Sequence, residues 1–204
     1  MRVLAIDCAT ENCSAALFSN GELIDGRCER LGRGHAERLV PMIAELPDKG
    51  RADRVIVSLG PGSFTGVRIG LAAARALALV WKAETLGYPT LALIAAMARE
   101  AHPEAVSVAM TGGHGEWFLQ DFGPDGLPQG ELASLPPQAA ADVARHHRVA
   151  GSEAEALVAR RGSGSAVPLL PDARYVPLLS SSVLLQNPAP LYGRAPDAKL
   201  PAAS

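Results

Sequence analysis

The segment Gly60-Pro61-Gly62-Ser63-Phe64-Thr65-Gly66 lies between a β-branched run and a long apolar run, and so reads as a turn from a strand into a helix. Backbone amides at such a helix start can hold an anion, which is phosphate chemistry. A Walker A loop needs Gly-Lys-Ser/Thr where Gly66-Val67-Arg68 stands. The spacing Gly60-x-Gly62-x-x-x-Gly66 loosely imitates a dinucleotide loop, but no acidic residue closes the next strand at the usual distance. The other reading is a tight turn whose glycines let a helix pack closely on a sheet. Asp7, with Thr10 behind it, ends the first strand; it can hold a metal–nucleotide through water or close an Asx turn. The remaining reactive types do not assemble into a catalytic set. Ser63 is not in a Gly-x-Ser-x-Gly elbow. His35 has Leu39 where an i, i+4 metal pair would need a second histidine. His146 and His147 are adjacent and point apart on a helix, and the sequence around the hairpin residues His114 and Glu116 does not spell out a catalytic triad. Cys8, Cys13 and Cys28 are odd in number and irregular in spacing, which argues for reduced thiols filling strands rather than a disulfide framework or zinc site. No metal site is expected.

These residues need elements to position them. Residues 2–7, 13–18 and 23–30 read as three strands, the last two joined by an Asn20-Gly21 turn, so the chain opens with a β-meander. Residues 35–46 form a helix with Leu39, Val40, Ile43 and Leu46 on one stripe. A buried strand at 54–59 leads into the glycine loop, and a helix over 67–82 follows it. A further short helix covers 89–101. A second half begins near residue 105, with strands at 106–110 and 116–122, a helix at 136–147, a strand near Val149 and a helix at 152–161. Residues 180–187 have the pattern of one more helix, and 195–204 that of a loose tail. Strand, turn, strand and helices thus occur twice, with boundaries at 1–103, 104–194 and 195–204.

Composition sets the outer limits. Of 204 residues, 48% are apolar and 20% charged, with a net charge of −2. That supports a real core but not tight nucleic-acid binding by this chain alone, which rests on phosphate neutralisation. No run reaches the length of a membrane helix, because Arg68 and Arg75 interrupt the Ala-rich stretch, and Asp7 and Glu11 break any signal-peptide pattern. A cytoplasmic chain is expected. Only 4% of residues are aromatic, so packing must come from small residues at close approach. Many of these lie on the 67–82 helix, where Gly70, Ala73, Ala74 and Ala78 alternate with Ile69, Leu71 and Leu77. Small residues on more than one face allow helices to approach on two sides, one being the sheet and the other either the 35–46 helix or a second molecule.

Three segments together resemble a known family: Ile6-Asp7-Cys8-Ala9-Thr10-Glu11-Asn12-Cys13-Ser14, His35-Ala36-Glu37-Arg38-Leu39-Val40-Pro41, and Gly60 through Gly70. They resemble the TsaB (YeaZ) family, the dimerisation subunit of the bacterial tRNA threonylcarbamoyladenosine machinery. The stretch Pro190-Leu191-Tyr192-Gly193-Arg194-Ala195-Pro196-Asp197-Ala198-Lys199 resembles the family's C-terminal segment, with Gly193 where a larger apolar residue is usual. The resemblance is concentrated in residues 1–100 and is weak between 105 and 187.

The resemblance implies an α/β fold of the actin-like ATPase (ASKHA, ribonuclease H-like) type, duplicated into two lobes, each a β-meander sheet with helices, the second lobe shortened. It implies a non-catalytic subunit that pairs with TsaD through N-lobe helices and activates it for threonylcarbamoyl transfer to a tRNA adenosine. The ATPase TsaE joins the complex, tRNA is met through the complex, and a homodimer forms when the chain is alone. ATP and metal are expected on TsaD, with no cofactor held tightly by this chain. The partner surface implied is His35, Arg38, Leu39, Met42, Arg68, Leu71, Ala72 and Arg75. A residual nucleotide contact would fall on Asp7, Thr10, Gly60, Gly62 and Ser63. The competing readings are a stand-alone actin-like kinase or ATPase and, last, a metallopeptidase.

Overall fold

The computed structural model describes residues 1–193; Arg194, Lys199 and the tail expected at 195–204 lie outside the described residues. The chain opens with β1 (Arg2–Asp7), β2 (Asn12–Ser19) and β3 (Glu22–Arg30), a meander in antiparallel register with Asp7 opposite Ser14. Helix α1 (His35–Ala44) follows, then β4 (Arg54–Ser58), helix α2 (Phe64–Trp81), β5 (Glu84–Tyr88) and helix α3 (Thr90–Arg99). β4 runs parallel to β1, and β5 parallel to β4. The second lobe repeats this plan with β6 (Val106–Thr111), β7 (Trp117–Phe122), β8 (Ala133–Leu135), α4 (Pro137–Val143), β9 (Arg148–Ala150), α5 (Ala154–Arg161) and β10 (Ser165–Val167). Its strand order, β10-β9-β6-β7-β8, matches β5-β4-β1-β2-β3 position for position. The duplicated two-lobe arrangement implied by the resemblance is therefore present.

Several local expectations are corrected. β5 was not foreseen: Gly87 interrupts a short run, and the Leu59 side chain packs where a Cβ would stand, 2.5 Å from it. β8 and β10, three residues each, were also missed. Residues 180–187 are not a helix. They hold a 3₁₀ turn at Ser181–Val183 and a two-residue strand, β11 (Leu185–Gln186), antiparallel to β5 on the edge of the first sheet. Residues 171–193, placed by sequence with the second lobe, in fact return to the first: Ala173 N–H donates to Ser14 Oγ and Leu191 N–H to Leu59 O. α2 starts at Phe64, three residues early, because Ser63 caps it by accepting from Gly66 N–H. With those residues added, α2 has the length and mean hydropathy (1.4) of a membrane span, contrary to expectation, as does no other helix among the described residues. A third of it is buried in the first lobe.

The core is layered. On one face of the first sheet, Leu39, Met42 and Ile43 of α1 and Val67, Leu71, Ala74 and Ala78 of α2 pack on β1 and β4. On the other, Tyr88, Leu93, Ala173 and Val176 cover Ala5, Ala16 and Ile56. α3 is buried nearly all round and sits between the sheets: Leu93 faces the first lobe, while Leu91, Ile94 and Ala95 face the second.

Candidate functional site

The glycine loop is pressed onto the turn between β1 and β2. A Cβ on Gly62 would lie 2.0 Å from Ala9 O, and one on Gly66 2.0 Å from Cys8 O. Neither distance admits any other residue. Ser63 N–H donates to Ala9 O at 2.7 Å, Gly66 N–H to Ser63 Oγ at 3.2 Å and Val67 N–H to Ser63 O at 2.9 Å. Three of the loop's amides are thus engaged by the protein itself, and the space beside Gly62 and Gly66 is filled by backbone, so these glycines aim α2.

Asp7 is fully buried. Its Oδ1 accepts from Ala9 N–H at 2.9 Å, and its Oδ2 accepts from Tyr88 O–H at 2.8 Å. Burial outweighs both bonds and pushes the carboxyl from its ordinary 3.8 up to about 6. The Asx turn is therefore the reading that holds for Asp7, and it does not reach solvent. A cleft of about 410 Å³ separates the lobes nearby. Thr10, Gly62 and Ser63 line it on one side, and Thr111, Gly112 and Ser152 on the other. Of the five residues assigned a nucleotide contact, Asp7 and Gly60 are not in this lining. The lining contains Glu11 and neither Lys nor Arg.

The helix surface also needs correction. His35 is 7% exposed, with Nε2 2.9 Å from Thr10 O and 3.2 Å from Asn12 O, so it ties α1 to the β1–β2 turn. Leu39, Met42 and Leu71 are core residues, buried against the first sheet. Leu39, Met42 and Leu71 cover the sheet and His35 is held by the turn, so none of the four offers an exposed surface. Arg38 spans Glu29 and Glu45, holding both carboxyls below their ordinary range and fastening α1 to β3. Arg68 stacks on Phe64 at 3.7 Å and donates to Tyr192 Oη at 3.3 Å; Arg75 donates to Pro188 O at 2.7 Å. Both arginines are exposed but bind the returning C-terminal stretch.

What remains open on α2 is its opposite face. Ala72 and Ala76 are exposed, Leu79 is 81% and Val80 77% exposed, and Ile69 and Ala73 are half-buried at its border. On α1, Ala36, Val40 and Pro41 are likewise exposed. Ala72 alone of the expected apolar residues lies there. Ile69, Ala76, Leu79 and Val80 were missed. The signal was available in part: they recur at helical spacing opposite Val67, Leu71, Ala74 and Ala78. Isolated exposed leucines are ordinary, whereas a run of apolar and small residues along one helix face marks an interaction surface.

The family model described as "TsaD: tRNA N6-adenosine threonylcarbamoyltransferase" matches residues 29–168. The tRNA threonylcarbamoyladenosine biosynthesis protein TsaB of Escherichia coli K12 is 38% identical over 139 residues, and that of Haemophilus influenzae 37% over 107. A Pseudomonas aeruginosa protein described as similar to peptidase YeaZ superposes with a TM-score of 0.80 at 29% identity, covering 95% of this chain and 99% of its own. The chain belongs to the TsaB (YeaZ) family. YeaZ from P. aeruginosa superposes at 0.78 and 28% identity, covering 94% and 99%. The sequence alignments cover 64% and 50% of this chain, and it spans 60% and 45% of the E. coli and H. influenzae proteins. The ethanolamine utilization protein EutJ of Carboxydothermus hydrogenoformans, 11% identical, shares the fold alone: TM-score 0.52 over 88% of this chain and 90% of its own. The fold is the actin-like ATPase type.

Proposed function

We propose that this chain is a non-catalytic subunit of the machinery that makes threonylcarbamoyladenosine in tRNA, and that it pairs with and activates TsaD. The observation that carries the reading is the exposed apolar face of α2, built from Ile69, Ala72, Ala76, Leu79 and Val80 beside Val40 of α1. Small residues at its centre let a second helix approach closely, and Leu79 and Val80 supply area to bury. The names of the E. coli and H. influenzae relatives support the tRNA modification. The engaged glycine loop and the absence of Lys and Arg from the cleft lining argue that ATP, its metal and the chemistry belong to TsaD. TsaE and tRNA join through that partner, and the same α2 face serves a homodimer when TsaD is missing.

Co-expression with TsaD followed by size-exclusion chromatography tests this. One shared peak is expected, and Ala76→Glu splits it while leaving the unfolding midpoint of the isolated chain unchanged. An unpaired charge buried in an interface costs about 3 kcal/mol, or about a hundredfold in affinity. Two peaks for the unsubstituted pair would overturn the proposal. Micromolar binding and turnover of ATP–magnesium by the isolated chain would favour a stand-alone actin-like enzyme using the cleft.

A further inference from the structure

Cys8, just after β1, and Cys13, in β2, sit one residue beyond the Asp7–Ser14 pair. Facing positions in an antiparallel pair bring Cα atoms to about 4.5–5.5 Å, inside the range a disulfide spans. The two sulfurs are 3.7 Å apart and share a hydrogen bond, and both residues are fully buried. Cys28, the third thiol, does not compete: it lies on β3 opposite Ser14, with Asn12 Nδ2 3.5 Å from its sulfur.

The turn that the pair closes is the seat of both surface helices. Cys8 O lies under Gly66, Ala9 O lies under Gly62 and accepts from Ser63, and Thr10 O and Asn12 O face His35. Ala9, Thr10 and Glu11 of the same turn line the cleft, so the turn that joins the two cysteines borders solvent. We propose that Cys8 and Cys13 form a redox site that a small disulfide oxidant converts to an intramolecular disulfide.

The shared hydrogen bond lets the S–H of one thiol stabilise a thiolate on the other, and that thiolate is the attacking sulfur. With glutathione disulfide, it displaces one glutathione thiolate and forms a mixed disulfide. The second thiol then gives up its proton and displaces the other glutathione. One S–S bond forms in the protein, one is lost from the oxidant, and two glutathione thiols leave with the protons.

The full-length folded chain is exposed to glutathione disulfide, acid-quenched, alkylated under denaturing conditions and digested with trypsin. Cleavage after Arg2 and Arg27 releases one peptide with Cys8 and Cys13, while Cys28 leaves on Cys28-Glu29-Arg30. The first peptide is expected unalkylated, lighter by two hydrogen atoms and restored to two alkyl groups by dithiothreitol, while Cys28 is alkylated. In Cys28→Ser the cross-link is expected to form to the same extent. Full alkylation of both thiols in the first peptide would overturn the proposal. So would glutathione held on either without a cross-link, a cross-link forming only after denaturant is added, or its loss in Cys28→Ser.

Discussion

Replacing Gly66 with alanine sets two effects of opposite sign against each other. In a helix interior, Gly→Ala is worth about 1 kcal/mol of stability, because the backbone loses less freedom on folding. At Gly66 the new Cβ would lie 2.0 Å from Cys8 O. A carbon and a carbonyl oxygen approach only to about 3.3 Å, so α2 and the β1–β2 turn must separate by more than an ångström. Both atoms are anchored to backbone, and no side-chain rotation relieves the contact. Overpacking of this kind costs up to about 3 kcal/mol. The net is a destabilisation of about 2 kcal/mol, or a thermal midpoint lowered by about 4–8 °C for a chain of this size. Gly70→Ala, one turn further along the same helix, is the internal control. There the nearest atoms to the added Cβ are Val57 Cγ2 at 3.5 Å and Cys8 Cβ at 3.7 Å, ordinary contacts. The propensity gain is then uncompensated, and the midpoint rises by about 2–4 °C. Circular dichroism melts of the two variants and the parent decide it. A Gly66→Ala chain melting at or above the parent would refute the account of a loop seated on its neighbouring turn.

Other perturbations follow from the same geometry. Asp7 is buried with its carboxyl raised from 3.8 to about 6, so its neutral form stabilises the fold. That contribution is complete below about pH 4 and lost as pH rises through 6, a span of about 3 kcal/mol. Asp7→Asn therefore gains stability over the parent as pH climbs from 4 to 7, read from urea midpoints. Parallel curves for the two proteins would sink the argument. His35→Ala leaves Thr10 O and Asn12 O without their ring partner and costs about 1–3 kcal/mol; pairing with TsaD below the melting range is unchanged, and a loss of pairing with stability intact would return His35 to the interface. Leu79→Ser, at a side chain 81% exposed, leaves the midpoint of the isolated chain within about 1 °C and weakens pairing, measured by titration; a large drop in midpoint would mean the face is part of the fold.

The elements were legible where local pattern decides them. The opening meander, α1, β4 and the long helix after the glycine loop follow from alternation, helical spacing and an Asn-Gly turn. The repeated order of strands and helices pointed to two lobes. What local pattern could not convey is which side of an element is covered. α2 is apolar nearly all round, so its pattern does not say which side is covered: the resemblance implied Leu71 for the partner surface, whereas Val67, Leu71, Ala74 and Ala78 turn toward β1 and β4. The same implication placed His35, Leu39 and Met42 on that surface and left Leu79 and Val80 unnoticed. The return of residues 171–193 to the first sheet is a long-range pairing through β11, only two residues long and without a pattern of its own. The glycine loop shows the division most plainly. Its sequence determined that backbone comes unusually close to something, since glycine is demanded at Gly62 and Gly66. Only the folded structure decided whether that something is a phosphate or the carbonyls of Cys8 and Ala9, because a missing side chain leaves room for either and tertiary packing fills it.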